Sequence, residues 1–248
     1  MLHLPLYRWR DWIPADCPGC GRRMTGQSLC SACLTRLQPD RALPRCRRCA
    51  HPLIGGHCPD CGSVAMACDS VVAAFDYVGL GRDLIHDYKF HGHLALTWLL
   101  ADRLVQAVRA AGPRMSWPDW IVPVPARREG LRRRGFSPPA EVARLLARRL
   151  RLRYRLDGVR RLREGTRQVG RDRALRLQAQ ADVFACGIAG GLAGRRIAVV
   201  DDVLTTGATL QAVAMTLKAA GAAQVEGWVL ARAVSLRVCR SPDSRVLQ

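Results

Sequence analysis

Lysine is nearly absent from this 248-residue chain, and acidic residues are few. Lys89 and Lys218 are the only lysines, so arginine supplies almost all of the 39 basic side chains, against 20 acidic ones. Codon bias is one explanation for arginine in place of lysine, but it does not explain a formal net charge of +19. An excess of this size indicates an anionic partner, such as nucleic acid or pyrophosphate.

Long hydrophobic runs are also missing. No apolar stretch reaches the roughly eighteen residues that a membrane span needs. The chain begins Met-Leu-His-Leu-Pro, without the basic start or the apolar stretch of a signal peptide. We therefore expect a cytoplasmic protein that does not itself span a membrane. With 49% hydrophobic residues, the chain can bury the core of one full-sized domain and a small one.

The positive charge is concentrated in residues 127–176, where eighteen arginines stand against five acidic residues. One pyrophosphate group would use only a few of these charges. The stretch therefore favours binding of a longer polyanion, such as single-stranded DNA. The alternative is a solvated charged surface that reflects composition alone, and both interpretations stay open for Arg144, Arg148 and Arg149.

The cysteines before residue 62 form four Cys-x-x-Cys pairs, a spacing typical of metal sites in a reducing compartment. The pairs are Cys17 with Cys20, Cys30 with Cys33, Cys46 with Cys49, and Cys58 with Cys61. Zn²⁺ prefers four thiolates in a tetrahedron, and each tight turn delivers two of them. We predict two structural zinc sites in a module over residues 14–68, with the pairs grouped in sequential order. A crossed grouping, first pair with third, is the alternative.

After residue 69 the hydrophobic pattern alternates between strands and helices. Strands are predicted over residues 71–78, 120–124, 196–200 and 224–231, and helices over residues 81–90, 94–110, 137–150 and 208–220. The polar residues 157–181 show no period and are predicted to form a loop or flap. This alternation predicts an α/β domain with a doubly wound, mostly parallel sheet over residues 69–234, followed by a tail over residues 235–248.

The most informative segment is Ile-Ala-Val-Val-Asp-Asp-Val-Leu-Thr-Thr-Gly-Ala-Thr-Leu, residues 197–210. A buried parallel strand places Asp201 and Asp202 at its carboxyl end, where open α/β sheets bind their ligands. Gly207 then lets the backbone approach closely, and the helix that begins near Ala208 aims free N–H groups at the same point. Hydroxyl donors come from Thr205, Thr206 and Thr209. Because carboxylates repel a bare phosphate, the ligand should also offer hydroxyls or a metal ion. A ribose 5-phosphate offers such hydroxyls. The alternative interpretation of the segment is an ordinary strand–turn–helix with a capped helix start and no ligand.

This segment resembles the signature of the type I phosphoribosyltransferases, in which two acidic residues and then Thr-Thr-Gly-x-Thr follow a hydrophobic strand. In that family the acidic pair holds the ribose 2′ and 3′ hydroxyls, and the Thr/Gly loop holds the 5′-phosphate. The resemblance implies binding of Mg²⁺ with phosphoribosyl pyrophosphate. The residues implied here are Asp201, Asp202, Thr205, Thr206, Gly207, Ala208 and Thr209.

Two other segments can supply cations for the pyrophosphate. Lys89 lies in Tyr-Lys-Phe-His-Gly, and Arg127 and Arg134 follow a strand that ends in Pro-Val-Pro. The forked guanidinium of arginine suits phosphate oxygens, so these three residues are expected to complete the site. Histidines of the first segment are expected to be surface residues rather than catalysts.

The order of these parts resembles the ComF/GntX family over residues 14–233: paired zinc knuckles, Lys-Phe-x-Gly, Pro-Val-Pro, Arg-Gly-Phe and Asp-Asp-x-x-Thr-Thr-Gly. The chain departs from the family at Ser137 and Ala179, where asparagine is usual. Members are implicated in bringing single-stranded DNA inward during natural competence, or in using DNA as a nutrient. The resemblance implies single-stranded DNA as a partner, with a DNA-uptake helicase or translocation proteins at the inner face of the membrane.

Three functions fit these patterns. The favoured one is a DNA-uptake protein with a retained site for phosphoribosyl pyrophosphate or a related sugar phosphate. The second is an active phosphoribosyltransferase acting on a nucleobase or amine acceptor, and the third is a sensor of phosphoribosyl pyrophosphate. No sequence pattern identifies a nucleobase pocket, so catalysis is left open.

Overall fold

The computed structural model describes most of the chain. The described residues are 14–26, 29–38, 44–61, 66–112, 117–163, 183–188 and 191–234. Most of the predicted flap, residues 164–181, and the predicted tail, residues 235–248, lie outside them.

The cysteine-rich module has little regular structure among its described residues. A short antiparallel pair, β1 (Pro14–Asp16) and β2 (Arg23–Thr25), precedes helix α1 (Ser31–Leu37). The following segment is held by two isolated bridges, Arg45 with Pro52 and Ile54 with His57. Because so few backbone pairs hold the module, it depends on its cysteine clusters and on contacts with the rest of the protein.

The larger domain is built on a five-stranded parallel sheet with the strand order β3-β9-β8-β4-β5. Its strands are β3 (Ser70–Asp76), β4 (Trp120–Pro123), β5 (Arg153–Tyr154), β8 (Arg196–Leu204) and β9 (Gln224–Arg232). Two further strands, β6 (Val159–Arg161) and β7 (Phe184–Cys186), form a separate antiparallel pair. The predicted parallel sheet is confirmed, and its central strands β8 and β9 end at the same edge.

Helices cover both faces of this sheet. The helices of the larger domain are α2 (Gly79–Phe90), α3 (Leu96–Ala110), α4 (Arg128–Arg134), α5 (Pro138–Leu150) and α6 (Ala208–Ala219), and all but α4 pack on the sheet. Helices α2, α3 and α5 share one core with Ala198 and Val200 of β8, whereas α6 shares the second core with Ile197 and Val199. Successive residues of β8 therefore face opposite cores, as a strand buried on both sides requires.

Each half of the cysteine module joins a different core. Cys17 and Cys33 are buried with α2, α3 and α5, and Cys49 and Cys61 are buried with α6. The module therefore packs against both layers of the larger domain.

Several local features differ from the sequence predictions. Strand β6 lies in the stretch that was predicted to be a loop, because it pairs with β7. Strand β8 was expected to end at residue 200 but continues to Leu204, because its pairing with β9 continues through Asp201 opposite Val229 and Leu204 opposite Arg232. Helix α4 was not predicted, since its arginine-rich sequence has no apolar stripe, and none of its residues is buried. Ser137 stands at the N-cap of α5 as predicted, but its hydroxyl makes no capping hydrogen bond.

The longest described helix, α3, has 15 residues. In the part of the chain that the structure describes, no helix combines the length and the hydropathy that crossing a membrane requires.

Candidate functional site

Strand β8 carries both predicted carboxylates near the carboxyl edge of the sheet. Asp201 and Asp202 lie within its last four residues and are half-buried. Asp201 Oδ1 accepts a hydrogen bond from the backbone N–H of Asp202 at 2.8 Å, and Asp202 Oδ1 accepts one from Val203 at 2.6 Å. These bonds orient the two carboxylates before any ligand arrives.

The predicted cation Lys89 lies beside this acidic pair. Its Nζ is 2.8 Å from Asp202 Oδ1, and the two side chains are 19% and 14% exposed. Burial and the negative charge of Asp202 raise the pKa of Asp201 to about 7, although a backbone hydrogen bond from Asp202 and the charges of Lys89 and Arg161 act in the opposite direction. Near neutral pH the site therefore contains one carboxylate paired with lysine and one carboxyl that gains or loses a proton easily.

The turn between β8 and α6 has the form of a phosphate-binding loop. Gly207 has a φ of 81°, in the left-handed region that favours glycine, and a Cβ there would lie 2.9 Å from Met66 Cε. Helix α6 begins at Ala208, so its first free N–H groups point toward the loop. A small pocket of about 30 Å³ is lined by Asp201, Val203, Leu204, Thr205, Thr206, Gly207, Ala208, Thr209 and Leu210. Every predicted residue of this segment except Asp202 lines it.

A buried arginine that no sequence pattern indicated holds this loop from within. Arg232, the last residue of β9, is 1% exposed. Its Nη1 donates hydrogen bonds to the carbonyl oxygens of Leu204 at 2.7 Å and Thr205 at 2.6 Å. Its Nη2 pairs with Asp60, which lies between the two cysteines of the fourth pair. Arg232 therefore joins the loop to the cysteine module.

The other two predicted cations lie at the two ends of α4. Arg127 is exposed at its N-cap, and Arg134 is half-buried as its last residue. Their contact with a ligand stays a prediction.

An arginine-lined pocket of about 410 Å³ lies between the Pro-Val-Pro segment and β6. Its lining residues are Pro125, Ala126, Arg128, Val159, Arg160, Arg161, Leu162 and Arg163. Arg161 donates to the carbonyl oxygen of Pro125 from Nε at 3.4 Å and from Nη2 at 3.3 Å, and its Cζ lies 4.6 Å from the ring centre of Phe184. Because Arg161 also lowers the pKa of Asp201, this pocket is electrostatically coupled to the acidic pair and suits an anionic group.

The arginines of α5 do not behave as one solvated surface. Arg149 pairs with Asp102 of α3 and lies over the Trp98 ring, 5.6 Å from its centre. Arg144 pairs with Glu141 on its own helix, and Arg148 is exposed. Arg149 therefore holds α5 against α3, whereas Arg148 faces solvent.

The eight predicted metal ligands form two compact groups. One contains Cys17, Cys20, Cys30 and Cys33, the other Cys46, Cys49, Cys58 and Cys61, and the sulfur atoms within each group lie within 4.8 Å of one another. The Cys20–Cys30 and Cys46–Cys61 sulfurs are 3.7 and 3.3 Å apart. These distances are close to the ~3.8 Å edge of a tetrahedron with Zn–S bonds of ~2.3 Å. The arrangement therefore suits two zinc ions with the pairs grouped in sequential order, and not the crossed alternative.

Hydrogen-bond donors favour the thiolate at one residue of the first group, Cys17. Burial raises the pKa of the Cys17 thiol, but hydrogen bonds from the backbone N–H groups of Cys30 and Gly19 and from the Cys20 and Cys30 side chains lower it to about 6. Burial and the neighbouring thiols raise the pKa of Cys33 to about 12. The N–H of Cys30 lies 3.4 Å from Cys17 Sγ. Zinc binds the thiolate form, so this environment supports metal binding.

Metal analysis of protein purified without chelator should therefore give close to two zinc ions per chain. Cys17→Ser should retain about one, because the second group is complete without the first. The matched control Cys186→Ser, outside both groups, should retain two. Disulfides with almost no zinc in the wild type, or loss of both ions from Cys17→Ser, would contradict two sequential sites.

Known proteins resemble this chain in sequence over most of its length. Residues 130–245 match the phosphoribosyl transferase domain. Competence protein F of Haemophilus influenzae is 30% identical over 210 residues, which cover 83% of this chain and 90% of that protein. DNA utilization protein YhgH of Escherichia coli K12 is 31% identical over 211 residues, which cover 82% of this chain and 90% of that protein.

Among solved structures, a purine phosphoribosyltransferase from Pyrococcus horikoshii matches 62% of this chain and 96% of its own, with 23% identity and a TM-score of 0.33. The matches to competence protein F and DNA utilization protein YhgH are long enough to include parts of both the cysteine module and the larger domain. The chain therefore belongs to the family of competence protein F and DNA utilization protein YhgH, and it carries a phosphoribosyl transferase domain.

Proposed function

We propose that this protein acts in DNA uptake or utilization and binds two ligands. The first is phosphoribosyl pyrophosphate, or a related sugar phosphate, with Mg²⁺ at the acidic pair and the Thr-Thr-Gly loop. The second is single-stranded DNA on the arginine-rich surface. The carrying observation is the half-buried acidic pair near the end of β8, where Asp202 pairs with Lys89 of α2 and the phosphate loop leads on to the start of α6. The DNA assignment is supported by relatives named for competence and DNA utilization.

A sugar phosphate uses both halves of the site. The carboxylates of Asp201 and Asp202 accept hydrogen bonds from ribose hydroxyls, while the N–H groups at the start of α6 and the threonine hydroxyls hold the phosphate. A bare phosphate would meet the repulsion of the acidic pair, and a sugar without phosphate would leave the loop donors unused. Oxygen ligands of this kind suit Mg²⁺, which would offset negative charge on the bound pyrophosphate.

The arginine-lined pocket supports pyrophosphate binding beside the ribose. Arg128, Arg161 and their neighbours would provide the positive charge that a pyrophosphate needs. The same pocket favours the second candidate function, an active phosphoribosyltransferase in which pyrophosphate leaves toward these arginines as an acceptor attacks the anomeric carbon. Release of pyrophosphate on addition of candidate nucleobases or amines distinguishes that enzyme from a binding protein.

Affinity for Mg²⁺–phosphoribosyl pyrophosphate should rise as the pH increases from about 6 to about 8, because Asp201 loses its proton near pH 7 and then accepts ribose hydroxyls. Asp201→Asn should bind at least about tenfold more weakly at the higher pH, a loss of ~1.4 kcal/mol. The affinity of Asp201→Asn should also depend less on pH, because this variant keeps only the contribution from ionisation of the ligand phosphates. Calorimetry measures both effects.

The matched control is Asp157→Asn, which removes a carboxylate that is 53% exposed. It should bind like the wild type. Equal affinity of Asp201→Asn and the wild type at the higher pH, or no binding by either, would overturn the sugar-phosphate assignment.

Affinity for single-stranded DNA should be sequence-tolerant and should fall as salt increases. The slope of log affinity against log salt is negative, and each phosphate that the protein neutralises adds roughly 0.7 to its magnitude. Arg132→Glu, at an exposed position on α4, should reduce the slope by roughly that amount. The control Arg195→Glu makes the same change in charge just before β8, at the opposite end of that strand from the loop. This control should leave the salt slope unchanged. A wild-type slope near zero would mean that the arginines form only a solvated surface, and would favour a small-molecule transferase.

A further inference from the structure

A cluster of exposed rings lies at the end of α2, outside the sugar-phosphate site. It consists of His86, Phe90, His91 and His93, all of which are exposed. Phe90 has 50% of its surface exposed, whereas Phe75 and Phe184 are buried. Of the four phenylalanines, Phe90 is the exposed one, while Phe136 is half-buried. This ring cluster therefore needs an explanation other than packing.

The four rings form a continuous row. The ring centres of His86 and Phe90 are 4.8 Å apart, those of His86 and His91 are 5.3 Å apart, and those of His91 and His93 are 6.0 Å apart. The helical spacing of His86 and Phe90, four residues apart, brings the first two onto one side of α2. Together they offer an extended aromatic surface rather than a single exposed side chain.

Positive charge borders the row on α4. The guanidinium of Arg133 lies over the Phe90 ring, 5.2 Å from its centre, and Arg132 beside it is exposed. The one carboxylate within the row, Asp87, lies 3.0 Å from His91 Nδ1. The surface thus combines flat rings with arginines, which is the composition that binds bases by stacking and phosphates by charge.

Helix α2 also connects the row to the sugar-phosphate site. Lys89, next to Phe90 in the chain, pairs with Asp202. A nucleotide strand bound to the rings would therefore lie at the same end of α2 as the lysine that pairs with Asp202.

We propose that this ring cluster is the base-stacking surface for single-stranded DNA, with Phe90 as its central ring and Arg132 and Arg133 as its phosphate contacts. This inference rests on the DNA-binding part of the proposed function and adds the residues that distinguish a nucleic acid from any other polyanion. An acidic protein would use the arginines but would gain little from the exposed rings. The choice of DNA follows from both features occurring on one surface, beside a site that accepts a sugar phosphate.

The test compares two labelled probes of equal length and charge, a short oligothymidylate and its abasic counterpart. The wild type should bind the oligothymidylate more tightly. Phe90→Ala should weaken oligothymidylate binding by about tenfold, equivalent to ~1.4 kcal/mol, within the ~1–3 kcal/mol that stacking on one base contributes. Its affinity for the abasic probe should change little, and Phe90→Trp should retain binding.

Leu94→Ala is the matched control, because Leu94 is a neighbouring apolar residue with 51% exposure but no ring. It should bind both probes like the wild type. Two results would overturn the stacking assignment while leaving DNA binding intact. One is an equal effect of Phe90→Ala and Leu94→Ala on affinity, and the other is an equal loss of affinity for both probes in Phe90→Ala. Failure of the wild type to bind either probe would overturn the stacking surface and also the DNA-binding part of the proposed function.

The side chains of His86, Asp87 and His91 also offer ligand atoms within 4.8 Å of one another. A third zinc ion per chain that is lost in a His86→Ala, His91→Ala double variant, with unchanged affinity for oligothymidylate, would identify the cluster as a metal site and overturn the stacking assignment.

Discussion

The buried guanidinium of Arg232 is the interaction on which the geometry of the phosphate loop depends. It donates to two carbonyl oxygens at the start of the loop, those of Leu204 and Thr205, and pairs with Asp60 of the cysteine module. Burial lowers the pKa of Arg232, while the nearby cysteine sulfurs, Cys49 foremost, act to raise it. A buried cation is retained only where such partners satisfy it. The loop and the second cysteine group therefore support each other.

This constraint gives the cysteine module a role beyond its own stability. The C-terminal end of the module also contacts the loop region, because the backbone N–H of Ala67 donates to Gln211 of α6 and Met66 lies against Gly207. On the opposite face of the sheet, Cys17 and Cys33 are buried with α2, the helix that carries Lys89. The two cysteine groups thus support the two sides of the same site: the phosphate loop on one face and the lysine beside the acidic pair on the other.

Features encoded by neighbouring residues could be predicted from the sequence. The acidic pair, the Thr-Thr-Gly turn and the cysteine pairs are each carried by a short continuous motif, and the parallel sheet follows from strand–helix alternation. The role of Arg232 could not be predicted, because 172 positions separate it from its partner Asp60. The sequence of β9 also does not distinguish this arginine from the many others in the chain. Arg161 lies in a stretch that was predicted to be a loop, and its position in the arginine-lined pocket depends on the pairing of β6 with β7. Strand β8 ran four residues longer than predicted for the same kind of reason, since a partner strand determined its end.

The most direct test of this account is the affinity of Arg232→Met for Mg²⁺–phosphoribosyl pyrophosphate, measured by calorimetry on protein that still contains two zinc ions. Arg45→Met is the control, because Arg45 joins the module to the sheet elsewhere, through Asp76 at 2.6 and 2.7 Å. The account predicts that Arg232→Met loses at least about tenfold in affinity, ~1.4 kcal/mol, while Arg45→Met keeps the wild-type value. Unchanged affinity in a folded, zinc-loaded Arg232→Met protein would show that the loop holds its shape without the contacts of Arg232, and would contradict the account.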